Sequence, residues 1–193
     1  MSAARSVSEL VAELESGRSA KYVYFWGHRQ RSPERRDPSC LSQWFPAPFT
    51  VEGVDYASAE HFMMAEKARL FGDDASRQKA IQAASPGAAK AAGREVVGFD
   101  SNRWDAAKFA AVVQANLGKF GAHADLRAYL LSTGERVLVE ASPIDPIWGI
   151  GMDLNEAMVT HPNQWRGENL LGFALMEVRD RLQDAGAGPT GTG

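Results

Sequence analysis

Metal-binding and redox chemistry have little to work with in this sequence. Cys40 is its single cysteine, so neither an intramolecular disulfide nor a cysteine-based zinc site is expected. The histidines are His28, His61, His123 and His161, and no two of them form a His-x-x-x-His pair. No metal and no cofactor is therefore expected. No apolar run approaches the ~18 residues that a membrane span needs, and the first residues lack a basic stretch followed by an apolar one. Neither a membrane partner nor a signal peptide is expected, and the expected location is the cytoplasm. A glycine-rich dinucleotide fingerprint and a phosphate-binding loop are both missing, and no Ser/His/Asp or Cys/His arrangement can be read. Cys40 precedes Leu41-Ser42 without an activating neighbour and reads as a buried small residue. An excess of basic charge is lacking as well: the formal net charge is -3. Bulk nucleic-acid binding is not implied, while a local basic pocket for one or two phosphates stays compatible with that balance.

What is present is an ordinary globular balance. Of 193 residues, 45% are hydrophobic and 23% charged, enough for a single domain with its own core. That domain is expected over residues 1–184, followed by a disordered Gly/Ala/Thr/Pro tail over 185–193. The spacing predicts a helix from Ser6 to Leu14, with Ser6 and Glu9 as a capping box. It predicts a buried strand over Tyr22–Trp26, then a mobile arginine-rich loop from His28 to Asp37. Phe49–Val51 and Val54–Tyr56 read as a hairpin turning at Glu52-Gly53. Helices are predicted from Ser58 to about Phe71, Ser76 to Ala84, Ser85 to about Val96, Asn102 to Phe120 and Asp125 to Leu131. A strand over Arg136–Ala141 and a last helix over Glu168–Leu182 complete the pattern. Helix-dominated, with few strands, it indicates an α+β fold with a small β component.

Three segments hold candidate chemistry. On the helix after Ser58, Ala59, Phe62, Met63 and Leu70 form a core stripe, and Glu60, Met64, Lys67 and Phe71 form a second face beside it. Glu60 and Lys67 lie two turns apart, about 10 Å along the axis, too far for the usual i,i+4 ion pair. Each must meet water, another partner or a ligand. The loop from Ser142 to Gly151 holds Asp145 and Trp148 between prolines and glycines. Trp148-Gly149 can offer an indole face with close backbone approach to a ligand, or Trp148 can be a core residue with Asp145 capping a turn. Trp165-Arg166-Gly167-Glu168-Asn169 opens the last helix, where backbone N–H groups and Arg166 could hold an anion, or Glu168 and Asn169 could be ordinary first-turn residues. Trp26-Gly27 and Ser42-Gln43-Trp44 add candidate pocket walls.

Taken in order, these segments resemble the NADAR, or YbiA-like, family from about Tyr24 to Leu182. The resemblance rests on Phe25-Trp26-Gly27, Leu41-Ser42-Gln43-Trp44-Phe45-Pro46 and the run Ser58 to Ala68 with its Glu60-His61-Phe62. Trp104-Asp105, Asn116-Leu117-Gly118-Lys119-Phe120, Ser142 to Gly151 and Trp165 to Gly172 complete it. Leu41 departs from it, standing where an aromatic is common. The resemblance implies a mostly helical fold and an N-glycosidase that cleaves the bond between ribose C1 and an exocyclic amine. It implies a small nucleotide-like substrate: a ribosylated pyrimidine phosphate of the early riboflavin pathway, or alternatively ADP-ribose on guanine, including guanine in DNA. A non-catalytic ADP-ribose or NAD reader is the alternative of another class. The catalytic residues it implies are Glu60, Lys67 and Asp145, with Trp26, Gly27, Trp44, Trp148, Gly149, Trp165, Arg166 and Asn169 binding substrate. Lys67 would attack C1 as an amine or bind phosphate or hydroxyl, and the sequence leaves both routes open. It does not fix the oligomeric state.

Overall fold

The computed structural model describes residues 4–30, 34 and 36–186. Residues 31–33 and 35 of the expected arginine-rich loop, and 187–193 of the expected tail, lie outside the described residues. In chain order the elements are α1 (Val7–Glu15), β1 (Tyr22–Phe25), β2 (Phe49–Val51), β3 (Val54–Tyr56), α2 (Ala59–Leu70), α3 (Asp74–Ile81), α4 (Pro86–Arg94), α5 (Ser101–Ala122), α6 (Ala124–Ser132), β4 (Val137–Glu140), α7 (Leu154–Val159) and α8 (Leu170–Gly186), with short 3-10 turns at Pro38–Leu41 and Pro162–Gln164. No helix among the described residues is long and apolar enough to cross a membrane. The chain divides into two compact units, Met1–Leu41 with Asp125–Gly193, and Ser42–Ala124.

The first unit is built on a parallel pair, β1 beside β4, in the register Tyr22↔Val137 to Phe25↔Glu140. Within the predicted strand, β4 is a continuous buried run, Val137-Leu138-Val139, as suits a parallel strand covered on both faces. α8 packs on β4, and Gly172 makes this approach possible: a Cβ there would collide with the Leu138 carbonyl. β1 ends at Phe25, so Trp26 lies past the strand, and Gly27 turns the chain at φ 77. α8 begins two residues later than the spacing predicts and continues to Gly186, which places Ala185 and Gly186 in the helix rather than in a tail. Ser6 caps α1 by accepting from the Glu9 amide, but Glu9 accepts from the Arg5 amide instead of closing a reciprocal box on Ser6. Cys40 is buried, as expected.

The second unit is a helical cluster around α2, which contacts α3, α4 and α5 as well as β3. The β2–β3 hairpin turns where expected, and Glu52 and Gly53 both have positive φ (50 and 77), the mark of a type I′ turn. The strands thus form two separate two-stranded sheets. α5 crosses β2 at Gly118, where a Cβ would stand 2.6 Å from the Phe49 ring. α3 starts at Asp74, two residues before the predicted start, and Asp73 caps it by accepting from the Ser76 amide. α2 is buried on nearly all sides from Ala59 to Ala65, so the core stripe and the face beside it both belong to a central helix over that span.

Candidate active site

α2 starts at Ser58, whose side chain does not cap the helix. Its Oγ lies 2.7 Å from His61 Nδ1 instead, and His61 Nε2 lies 3.0 Å from the Ala83 carbonyl. A carbonyl only accepts, so Nε2 carries the proton and Nδ1 accepts from Ser58. His61 is 1% exposed. Burial lowers its pKa below 6.5, against a weaker raising pull from the Ala83 carbonyl. His61 is thus a satisfied neutral group that fixes the entry to α2.

Glu60 stands beside it in the first turn of α2 and is 3% exposed. The reading in which its carboxylate simply reaches solvent is therefore excluded. The helix start favours its negative charge, and its amide donates to the Gln43 carbonyl at 3.1 Å. Gln43 receives the Asn116 amide on Oε1 at 2.7 Å, while Asn116 also donates to the Val112 carbonyl. Lys119, one turn beyond Asn116 on α5, donates to the Ser42 carbonyl at 2.9 Å. Ser42, Gln43, Glu60, Asn116 and Lys119 are all buried.

Lys67 is half-buried two turns after Glu60. Its Nζ lies 4.2 Å from the centre of the Phe99 ring and has no carboxylate partner among the described residues. Burial first, and the positive charge of Arg94 second, hold its pKa below the ordinary lysine value. Met64 and Phe71 share the sequence-predicted face of Lys67, but neither is the group that the amine meets. Phe99, itself packed edge-on against Phe71 at 5.4 Å, is the ring that meets the amine. Met64 instead packs against Gly93 of α4. Trp44 lies in the same unit, its indole against the start of α4 near Gly87. A half-buried amine with a lowered pKa is a competent nucleophile, and a buried carboxylate is a competent proton carrier.

In the first unit, Asp145 caps its own loop: Oδ1 accepts from the amides of Ile147 and Trp148 at 3.0 and 2.9 Å. Trp148 is half-buried. Gly149 was expected to let the backbone approach a ligand, but the close approach is internal. A Cβ there would stand 2.8 Å from the Glu140 carbonyl and 2.9 Å from Ser142 Cβ. Asn169 departs further from expectation. It is 0% exposed with φ 53, it precedes α8, and its amide braces β4: Oδ1 accepts from Glu140 N at 3.0 Å and Nδ2 donates to the Leu138 carbonyl at 2.9 Å. Arg166 is exposed and pairs with Glu156. The Trp165 ring meets Tyr22 edge-on at 6.3 Å, and its buried Nε1 has no hydrogen-bond partner among the described residues. Trp26 is 60% exposed. This unit also holds a cavity of about 910 Å³ lined by Arg18, Lys21, Arg136 and Arg179 among others, and none of the sequence-predicted site residues line it.

Sequence reasoning missed Lys119, Phe99 and Arg94 as site neighbours. Lys119 was within reach of the spacing, since it stands seven residues after Val112 and three after Asn116 on the helix predicted from Asn102 to Phe120. Phe99 and Arg94 gave no such signal, because they lie in and beside the connection from α4 to α5.

Comparison with known proteins yields a match to the NADAR domain over residues 24–183. An N-glycosidase of Acanthamoeba polyphaga mimivirus, R617, is 40% identical over 168 residues, covering 84% of this chain and 97% of that protein. The N-glycosidase YbiA of Escherichia coli (strain K12) is 32% identical over 151 residues, covering 78% and 84%. The NMR structure of E. coli YbiA superposes with a TM-score of 0.71 at 26% identity, covering 91% of this chain and 92% of that one.

Proposed function

We propose, from the premise that the chain belongs to the NADAR domain family and is an N-glycosidase, a hydrolase of N-glycosyl bonds, that the bond it cleaves joins ribose C1 to an exocyclic amine. The substrate proposed is a ribosylated pyrimidine phosphate. Lys67 is the observation that carries this reading: an amine with a lowered pKa, facing a ring and no carboxylate, on the same helix as a buried glutamate.

A ribosylamine of this kind opens to an imine at C1. The lone pair of Lys67 Nζ adds to C1 and the π bond of the imine breaks onto the base nitrogen. The remaining bond from C1 to that nitrogen then breaks as C1 forms a double bond to Nζ, and the two protons that Nζ loses pass to the base, which leaves as its free amine. Water then adds to C1 of the resulting Schiff base, the bond from C1 to Nζ breaks, and the ribose phosphate leaves as an aldehyde. Glu60 moves the protons in both halves. Trp148 is proposed to stack on the base. Asp145, whose Oδ1 is committed to its turn, is proposed to offer Oδ2 to a ribose hydroxyl.

The test is incubation with a ribosylated aminopyrimidine phosphate and, separately, with ADP-ribosylated guanine, detecting free base and free sugar phosphate. Release from the first substrate, together with a borohydride-trapped ribose adduct on Lys67 that is absent from Lys67→Ala, is expected. Release from ADP-ribosylated guanine alone would replace the substrate. Turnover without trapping, with Lys67→Ala still fast, would remove the Schiff-base route.

A further inference from the structure

Lys119 has no role in the chemistry above, yet its surroundings are unusual for a lysine. It is 0% exposed. Its Nζ donates to the Ser42 carbonyl at 2.9 Å and lies 5.5 and 5.0 Å from the centres of the Phe45 and Phe120 rings. Removing an ammonium from water costs several kcal/mol, and an apolar side chain of the same volume would fill such a site at lower cost. The buried charge therefore calls for a reason beyond packing.

The hydrogen bonds supply one. The carbonyl that holds Lys119 belongs to Ser42, and the next carbonyl along the chain, that of Gln43, receives the amide of Glu60. The Gln43 side chain is held in turn by Asn116, which lies one turn before Lys119 on the same buried face of α5. Two side chains of α5 thus fix two consecutive residues, and those residues fix the first turn of α2 where Glu60 stands. Glu60 is itself 3% exposed.

We propose that Lys119 is the positioning residue for Glu60. It anchors the Ser42-Gln43 segment that receives the Glu60 amide. Lys119 acts through Glu60 and does not touch the substrate. This inference rests on the reading of Glu60 as the proton carrier.

Lys119→Met keeps the shape and removes the charge, and Lys119→Arg keeps the charge. Steady-state kinetics of both, on the substrate that the wild type turns over, run beside Glu60→Gln. Lys119→Met is expected to lower kcat at least about tenfold, the scale of a misplaced catalytic group, with KM changed less than about threefold. Lys119→Arg is expected to retain several times more kcat than Lys119→Met. Wild-type kcat in Lys119→Met, a loss carried by KM alone, or equal impairment of the two variants would overturn the proposal. Should Lys119→Met fail to fold, Lys119→Arg decides alone: it supports the proposal by keeping more than about a third of wild-type kcat with KM unchanged, and overturns it otherwise. An active Glu60→Gln would show that the reading of the site has failed. An inactive Glu60→Gln beside a fully active Lys119→Met would show that only the role of Lys119 has failed.

Discussion

The helix face at Glu60 and Lys67 and the segments at Asp145, Gly149 and Asn169 carry groups that the sequence marks in the same way: charged, polar or glycine residues set among large apolar ones. The fold treats them differently. Asp145 closes its own turn, Gly149 admits the Glu140 carbonyl, and Asn169 binds two backbone groups of β4. Each meets a need of the backbone. Lys67 meets none: it makes no ion pair among the described residues and rests on the face of Phe99. A polar side chain that the backbone uses is explained by stability. One that is held in a desolvated place without such use is a candidate for chemistry.

Substitutions can break this contrast. The largest effect is expected at α2, where Lys67→Ala and Glu60→Gln should each lower kcat by at least about a hundredfold. Thermal unfolding of Lys67→Ala should stay close to wild type, and a large drop in its Tm would move Lys67 to the structural side of the comparison. Asn169→Ala should do the opposite. It leaves the Leu138 carbonyl and the Glu140 amide without their partner in a buried place, and it puts alanine at φ 53. A loss of about 2–4 kcal/mol in urea unfolding is expected. Wild-type stability with lost activity would show instead that Asn169 is a ligand group. Trp148→Ala should weaken binding of substrate or product by about tenfold, the scale of one aromatic stacking contact, with the fold preserved. Unchanged affinity by calorimetry would remove the stacking role.

The smallest effect is a pH dependence at His61. Its pKa in the folded chain is lowered below 6.5, so the unfolded chain binds the proton first as pH falls. The stability that neutral His61 contributes is fully present above pH 6.5 and is lost as pH falls from there through the folded value. Denaturant midpoints across that window should fall less in His61→Gln than in wild type, and parallel curves would refute the assignment.

Much of this architecture was legible in the sequence where a local signal agreed with the packing. Glu52-Gly53 marks the hairpin because the turn needs two positive φ values, and Ser85-Pro86 marks α4 because both residues suit a helix start. α7 was not legible: its six residues are too few for periodicity to show, and Val159 and Met158 point to solvent. Nor did the sequence reveal that β1 and β4 pair, a contact between residues more than a hundred positions apart. Of the candidate site, the spacing found the shared face of Glu60 and Lys67. It could not tell Asn169 in a first helical turn from Asn169 in a left-handed conformation just before one. That difference depends on β4 lying beside it.

This placement of Asn169 has a consequence for self-association. Val137 and Ala141 donate their amides to β1, at Lys21 and Phe25, so the intervening Leu138 and Glu140 turn their backbone groups to the opposite edge of β4. A strand with such an edge open is a template for another chain. The side-chain amide of Asn169 has the same donor and acceptor as a peptide group, and it occupies this edge like one residue of an added strand. Together with the Ile150 amide, which donates to the Glu140 carbonyl at 3.0 Å, the Asn169 side chain takes up backbone groups of Leu138 and Glu140 that a further strand would need.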